Sequence, residues 1–376
     1  MTEPTDHDAT DPSLNIRSFL SVPGHQTLQT IETIRGKYIT SPGDAVCMTA
    51  LTRLILNAGL RANTRKPHSR TNRREGRILV ITGESGAGKS HRLMRTLRRH
   101  PALQAQDPEG PHSPVVIVNV PSPCTLKLLG RETLAATGYP LERDLRENLT
   151  WDQVRRRLDK GDKLIVVYDE MQHITQTPNP TEREKVANTI KDLMINRRWR
   201  VSVIVCGLPS VADFIRNDIQ LKRRARFIHL ASLKMPDDND TIAAMVTALA
   251  RAADLNVEAD IQTDLAPRLI HAAGYQWGIA IELTHEAIET ALRPDYLKLC
   301  PHEDEIDIGG PQQVEPDGTL TRRHFAQAFT DLIGCADDDN PFVSTDWTTV
   351  RIAEPTLILE KSRARAAGKQ TEAVAA

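Results

Sequence analysis

The sequence predicts an α/β protein whose core is a five-stranded parallel sheet between layers of helices, followed by a smaller helical domain. Strands and helices alternate in the first part of the chain, which indicates βαβ units with right-handed crossovers. Beyond Pro236 the apolar residues recur only at helical spacing. The expected strands span residues 78–82, 115–120, 163–168, 201–206 and 227–230, and the expected later helices span residues 241–253, 261–273, 278–292 and 321–333.

The length and composition fit this organisation. With 376 residues, of which 40% are hydrophobic and 26% charged, the chain has room for a globular core domain and one smaller domain. We expect a disordered stretch at 1–14, a helical segment with a basic linker at 15–76, the core at 77–235, a helical lid at 236–335 and a tail at 336–376.

Several classes of protein are disfavoured by the sequence. No apolar run approaches the ~18 residues of a membrane span, and the polar, acidic first twelve residues do not resemble a signal or transit peptide. The five cysteines are scattered without C-x-x-C spacing, which argues against a disulfide framework and a zinc site. We expect a cytoplasmic protein.

The first expected strand runs directly into a glycine-rich segment of the form G-x-x-x-x-G-K-S. Strand, glycine-rich loop and helix in this order are the context of a phosphate-binding P-loop, whose backbone N–H groups point at phosphate oxygens. Lys89 is expected to reach the β- and γ-phosphates of ATP, and the Ser90 hydroxyl to hold Mg²⁺. The expected nucleotide-binding residues are Gly83, Glu84, Ser85, Gly86, Ala87, Gly88, Lys89, Ser90 and His91.

The third expected strand is almost entirely apolar and ends in Asp169-Glu170. Acidic residues at the carboxyl end of a buried parallel strand lie where ligands bind in open α/β sheets. Asp169 is expected to hold Mg²⁺, and Glu170 to orient and polarise the attacking water. Because a phosphotransferase of this kind does not need the second carboxylate, the pair favours ATP hydrolysis.

Basic residues are concentrated in one half of the chain, although the formal net charge is only −1. Residues 51–100 contain 13 Lys or Arg and 2 Asp or Glu. Such blocks indicate a polyanion partner, while the alternative is a set of solvated helix faces. Aromatic residues are scarce, which favours the backbone of duplex DNA over stacked single-strand bases. The expected DNA contacts are Arg73, Arg74, Arg197, Arg198 and Arg200.

A five-stranded P-loop core followed by a helical domain is the layout of AAA+ ATPases, and shorter motifs make the resemblance more specific. The chain resembles the TniB/TnsC-type transposition ATPases, which regulate target choice by a transposase. The resemblance covers roughly residues 15–333. It lies in Tyr38-Ile39 with Pro42, in residues 118–125 and 138–141, in Asp169-Glu170-Met171-Gln172 and in residues 217–224.

The resemblance implies further residues and partners. Arg224 best matches the arginine finger of that family, with Arg223 and Arg226 as rivals; the finger would act on the ATP of a neighbouring subunit. The implied partners are duplex DNA, a transposase, an adaptor protein and further copies of the chain in a ring or filament. The apolar residues Phe342 and Trp347 in the acidic tail are expected to contact such a protein partner.

Two positions depart from the pattern of AAA+ proteins. Leu208 stands where a threonine is common, so the residue that senses the γ-phosphate is Ser210, Cys206 or absent, and residues 274–278 offer no cation as a second sensor. Slow hydrolysis is therefore expected. A loader in DNA replication or repair and a nucleotide-switch ATPase of a defence system are the alternative functions.

Overall fold

A computed structural model describes residues 17, 22–103, 110, 112–292, 318–352 and 358. The chain forms two compact units, one of residues 40–231 and one of residues 1–39 with 232–376. We call them the sheet unit and the helical unit. The predicted disordered stretch 1–14, residues 293–317 and most of the chain after residue 352 lie outside the described residues.

The sheet unit contains a five-stranded parallel sheet in the order β2-β3-β4-β1-β5. The strand β4 therefore separates the strand that leads into the P-loop from the strand that ends in Asp169. This arrangement confirms the predicted α/β class. The strands are β1 (Ile78–Gly83), β2 (Val115–Asn119), β3 (Ile165–Asp169), β4 (Ser202–Gly207) and β5 (Ala225–Leu230).

Helices surround this sheet. Long helices connect the strands, and two short ones follow Glu170 and Asn217. They pack on both faces of the sheet, as expected for a chain in which strands and helices alternate. In chain order the helices of the described part are α1 (Val22–Gly36) in the helical unit, then α2 (Pro42–Gly59), α3 (Lys89–Arg99), α4 (Leu126–Ala136), α5 (Glu147–Lys160), α6 (Gln172–Thr175), α7 (Pro180–Ile195), α8 (Pro209–Asn217) and α9 (Ile219–Lys222) in the sheet unit.

The two faces of the sheet carry separate apolar cores, because successive side chains of a strand point to opposite faces. On one face Val80, Val166 and Val205 pack with residues of α4, α5, α7 and α8. On the other face Leu79 and Ile204 pack with residues of α2 and α3. The result is the predicted αβα sandwich.

The helical unit has its own apolar core, built from α1 and the later helices. Its helices end close to the predicted bounds because each carries apolar residues at helical spacing. The elements are α10 (Asn239–Ala252), β6 (Asn256–Val257), a π-helical turn (Ile261–Leu265), α11 (Ala266–Ala272), α12 (Trp277–Ala291), β7 (Thr319–Leu320), α13 (Arg322–Ile333) and two short 3₁₀ turns (Asp337–Asp339 and Trp347–Thr349).

The units divide the chain differently from the predicted boundaries at residues 76, 235 and 335. The expected N-terminal segment is split, with α1 in the helical unit and α2 in the sheet unit. The reason is that α2 covers one face of the sheet with Cys47, Leu51 and Leu54, all of which are buried.

The first part of the expected tail is packed against the helical unit. Phe342 is 1% exposed and lies against the rings of Phe325 and Phe329. The Asn340 amide donates to the carbonyl of Ala326 at 2.8 Å, and Arg268 donates to the carbonyl of Pro341 at 2.7 Å. The expectation that Phe342 is available to a partner was therefore wrong, because this ring fills the core of its own unit.

Candidate nucleotide site at the carboxyl edge of the sheet

Three strands bring the candidate catalytic residues to one edge of the sheet. The carboxyl ends of β1, β4 and β3 lie side by side, since the strands are parallel and adjacent in that order. Gly83 ends β1, Gly207 ends β4 and Asp169 ends β3. The P-loop and the Asp169-Glu170 pair are thus at the same edge, with the end of β4 between them. This is the edge at which open α/β sheets bind ligands.

The loop after β1 has the backbone conformation of an anion site. Gly86 and Gly88 have φ values of 80° and 79°, a region that favours glycine because a Cβ atom would be strained there. Gly88 precedes α3, whose first turn has no side-chain cap. The first N–H groups of a helix lack intrahelical partners, so this turn presents donors and a positive dipole end to a phosphate.

The Lys89 side chain lies over this loop. Its Nζ atom donates to the carbonyl oxygens of Gly83 at 3.0 Å and Glu84 at 2.9 Å, and the residue is 9% exposed. Two neutral carbonyls compensate a buried ammonium group less well than an anion does. The lysine is therefore held at the loop in the position where it can pair with phosphate oxygens.

Backbone geometry fixes the acidic pair after β3. One carboxylate oxygen of Asp169 accepts a hydrogen bond from the N–H of Glu170 at 2.9 Å. Glu170 has a φ of 56°, a left-handed conformation that is unusual for a residue with a side chain. Such strained positions are found disproportionately at active sites. Because of this conformation, the exposed Glu170 side chain does not point in the direction it would have if β3 continued through this residue.

Gln172 links Glu170 to the end of β4. Its side-chain nitrogen donates to a carboxylate oxygen of Glu170, and its side-chain oxygen accepts from the N–H of Leu208 at 3.3 Å. Gln172 is buried. A Cβ atom at Gly207 would lie 2.6 Å from the same side-chain oxygen, so only glycine leaves room for this contact. The Asp-Glu-x-Gln spacing is visible in the sequence, but the contact itself depends on the fold.

The end of β4 also holds the residues considered as sensors of the γ-phosphate. Cys206 is fully buried, and burial, reinforced by the Asp169 carboxylate, raises the pKa of its thiol well above the usual range. The Ser210 hydroxyl lies 3.0 Å from the Thr175 hydroxyl. Cys206 thus remains a neutral thiol beside Asp169, while Ser210 has a partner on α6. The choice between them remains a prediction.

The residues at this edge fit Mg²⁺. The Ser90 hydroxyl and the Asp169 carboxylate are hard oxygen donors, which this ion prefers, and Mg²⁺ is usually held by one or two protein ligands together with substrate phosphates. Within the described part of the chain no cluster of three or more His, Cys, Asp or Glu residues could hold a metal without a substrate. Ser90 and Asp169 therefore suit an ion that arrives with ATP.

The candidate arginine finger lies at the opposite edge of the sheet. Arg224 directly precedes β5, whose residue Ala225 is in register with Ile78 and whose residue Leu230 is in register with Gly83. Its guanidinium group pairs with the Glu75 carboxylate at 2.7 Å. Six residues of extended chain span about 20 Å, so Arg224 cannot reach the P-loop of its own subunit. Arg223 and Arg226 are exposed near it.

The five expected DNA contacts fall into two groups. Arg74, Arg197 and Arg198 are exposed, whereas Arg73 and Arg200 are partly buried. Arg73 donates to the carbonyl of Arg200 at 2.7 Å, and the Arg200 guanidinium donates in return to the carbonyl of Arg73. The structure therefore brings residues 73 and 200 together, although they are far apart in sequence.

One part of the chain matches a known protein family. The model described as "Bacterial TniB protein" matches residues 60–235. The matched segment includes the P-loop, the acidic pair and Arg224, and it confirms the resemblance to the TniB family inferred from the sequence. No match was found among curated proteins. None of the described helices is long and apolar enough to cross a membrane.

Solved structures share the fold. The ORC1 protein of Aeropyrum pernix in complex with DNA is 12% identical, with a TM-score of 0.50 over 80% of this chain and 67% of that one. The Cdc6p protein of Pyrobaculum aerophilum is 14% identical, with a TM-score of 0.49 over 69% and 64%. The chain covers 60% of the A. pernix ORC2 protein, at 18% identity and a TM-score of 0.44 over 66% of this chain. The likeness to the ORC1 structure concerns the fold, and it agrees with the predicted α/β core followed by helices.

Proposed function

We propose that this chain is an AAA+ ATPase that assembles on duplex DNA in its ATP-bound state and recruits or activates a transposase. The observation that carries the proposal is the joint placement of the P-loop, Asp169 and Glu170 at one sheet edge, within a segment that matches the TniB family model. A nucleotide site of this composition fits hydrolysis, because a water-activating carboxylate follows the metal-binding one.

The protein groups have separate roles in this mechanism. The N–H groups of the loop and of the first turn of α3 bind the phosphates, and Lys89 exchanges the carbonyls of Gly83 and Glu84 for phosphate oxygens. Glu170 accepts a proton from the attacking water, while Gln172 fixes the direction of its carboxylate. Mg²⁺, held by Ser90 and Asp169, would neutralise phosphate charge when bound.

Hydrolysis in this scheme requires a second subunit. Arg224 precedes β5 at the amino edge of the sheet and is about 20 Å from the P-loop of its own chain. An arginine that stabilises transition-state charge must therefore come from a neighbour, whether it is Arg224 or one of its rivals Arg223 and Arg226. This supports a homo-oligomer in which ATP joins adjacent copies.

The proposed partners follow from charge and family. The basic half of the chain suits the phosphate backbone of duplex DNA, and the TniB segment favours transposition over the replication-loader and defence alternatives. An ATP-bound assembly would mark a target until hydrolysis weakens the contacts between subunits. We place this activity in the bacterial cytoplasm, where ATP and target DNA are both available.

The test compares two variants of the nucleotide site. We expect Lys89→Ala to lose ATP binding, because the charge that faces the phosphates is removed. We expect Glu170→Gln to bind ATP and duplex DNA but to lower the rate of hydrolysis by about 10²–10⁴-fold, the usual contribution of a general base. ATP binding, turnover and duplex binding are measured on the same protein samples.

The two variants also give the outcomes that would contradict the proposal. Hydrolysis by Glu170→Gln at the wild-type rate would exclude Glu170 as the base. Duplex binding by Lys89→Ala that equals the wild-type value would show that DNA binding does not depend on ATP.

A further inference from the structure

Three arginine-rich stretches that are far apart in sequence meet around one tryptophan. The guanidinium carbons of Arg70 and Arg73 lie 4.4 and 3.9 Å from the ring centroid of Trp199. Arg70 and Arg198 both pair with Asp159, at 2.9 and 2.6 Å. Because Asp159 belongs to α5, these contacts join residues 70–73, the end of α5 and residues 197–200 in one place. We call this group the Trp199 cluster.

The cluster contains a shallow cavity next to the tryptophan. Its volume is about 250 Å³, and its lining includes three arginines from two of the stretches. Guanidinium groups are planar donors whose geometry matches phosphate oxygens. The lining residues are Asp152, Arg155, Arg156, Asn196, Arg198 and Trp199.

The positive charge of the cluster is only partly compensated. Burial, together with the charges of Arg70 and Arg200, lowers the pKa of Arg73. The Nε atoms of Arg73 and Arg200 are buried without a hydrogen-bond partner. Within the part of the chain that the structure describes, the exposed residues Arg156 and Arg197 have no acidic partner. Positive charges held close together in this way favour the binding of a polyanion.

The tryptophan is not available as a stacking platform. Trp199 is 8% exposed, its ring is occupied by Arg70 and Arg73, and its indole N–H donates to the carbonyl of Lys163 at 2.6 Å. Binding of single strands normally uses exposed aromatic rings on which bases stack. The cluster therefore offers charge without base stacking, which suits a duplex backbone.

The cluster lies at the amino edge of the sheet. Lys163 precedes β3 (Ile165–Asp169), and Trp199 precedes β4. Asp169 lies six residues after Lys163, and six residues of extended chain span about 20 Å. The cluster is thus on the edge opposite the nucleotide site, so charge changes there are separated from bound ATP by more than the Debye length of ~8 Å at physiological salt.

From these observations we infer that the Trp199 cluster binds the phosphate backbone of duplex DNA through the exposed residues Arg156 and Arg197. Arg155 and Arg198 lie beside them in ion pairs with aspartates and add to the positive surface. This inference rests on the proposed DNA-dependent function and names the site of contact. Arg73 and Arg200 have a different role from the one expected from sequence: they hold the cluster together through each other's carbonyls and contribute charge from behind.

The test removes two charges that have no acidic partner in the described structure. Arg156→Ala/Arg197→Ala is compared with Arg251→Ala/Arg323→Ala, an equal charge change at exposed positions of the helical unit. Duplex affinity is measured with ATP between 50 and 200 mM salt. Each lost phosphate contact reduces the magnitude of the slope of log K against log salt by about 0.9. We therefore expect this magnitude to be about two units smaller in the cluster variant than in the wild type. The control variant should keep the wild-type slope.

The same comparison separates failure of the site from failure of the function. Because of the smaller slope, the affinity ratio of wild type to cluster variant should shrink by roughly tenfold across this salt range. If wild type binds duplex and the cluster variant keeps the full slope, the site assignment is wrong, whatever other partner the cluster has. If wild type with ATP does not bind duplex, the proposed function is wrong. ATP binding by all variants controls for folding.

Discussion

At the scale of single residues, Gln172 connects the Glu170 carboxylate to the end of β4. The P-loop is one continuous segment of the sequence and Asp169-Glu170 is another, so the residue spacing within each segment predicts a site. The contact of Gln172 with Glu170 and with the N–H of Leu208 depends on how β3 and β4 lie together. Side-chain contacts between neighbouring strands cannot be obtained from local spacing.

Gln172 is expected to act as a positioning residue for Glu170. Replacing it by alanine should lower kcat about ten- to hundredfold while KM for ATP changes little, because a general base contributes roughly 10²–10⁴ and only its orientation is lost. Steady-state rates at varied ATP concentration measure kcat and KM separately.

The control for this prediction is Gln172→His, which retains a donor and should recover part of the rate. Equal kcat values for wild type and Gln172→Ala would show that Glu170 needs no partner. A change in KM alone would assign Gln172 to nucleotide binding.

At the scale of secondary structure, the periodicity of apolar residues predicted the existence of helices and strands more accurately than it predicted their bounds. The buried strands β1 and β4 are almost continuous apolar runs, so their bounds are clear. The edge strand β5 was expected at residues 227–230 but begins at Ala225, since Ala225 is only partly buried and Arg226 is exposed and charged. Strands with one partner carry a weaker apolar signal than central strands.

The start of β1 depends on a close approach between two chain segments. A Cβ atom on Gly76 would lie 1.9 Å from the carbonyl oxygen of Val201, which precedes β4. Gly76→Ala should therefore lower the free energy of unfolding by about 3 kcal/mol, since a backbone atom must move. Unfolding in urea measures this change.

Gly59 is the matched control, because no atom lies within 4 Å of the Cβ position and the residue ends α2. Gly59→Ala should raise stability by roughly 0.5–1 kcal/mol through lower chain entropy. Equal stability of Gly76→Ala and wild type would contradict the close packing of the two strand starts.

At the scale of the whole molecule, the sequence predicted a core followed by a helical domain but not the assignment of the N-terminal helices. An amphipathic helix shows that it covers an apolar surface, not which surface it covers. The helices α1 and α2 are close in sequence and belong to different units. Phe342 was likewise assigned to a free tail because its neighbours are acidic, whereas it completes the core of the helical unit.

The location of Arg224 makes assembly the central requirement of the proposed mechanism. Its position at the amino edge places it out of reach of its own P-loop, so as the proposed finger it would act on the ATP of a second copy. Loss of a finger arginine typically costs ~10³–10⁵ in rate. Neither Arg224→Ala, which retains its P-loop, nor Lys89→Ala, which retains its finger, should hydrolyse ATP appreciably alone.

The most direct test is therefore the ATPase rate of Arg224→Ala mixed with Lys89→Ala on duplex DNA. In an equal mixture, random assembly pairs an intact P-loop with an intact finger at roughly a quarter of the interfaces, which sets the expected upper limit of the recovered rate. The same mixing is repeated with Arg223→Ala and Arg226→Ala in place of Arg224→Ala. A rate above the sum of the separate proteins for one of the three is the predicted result; additive rates for all three, at every ratio, would contradict a site shared between subunits.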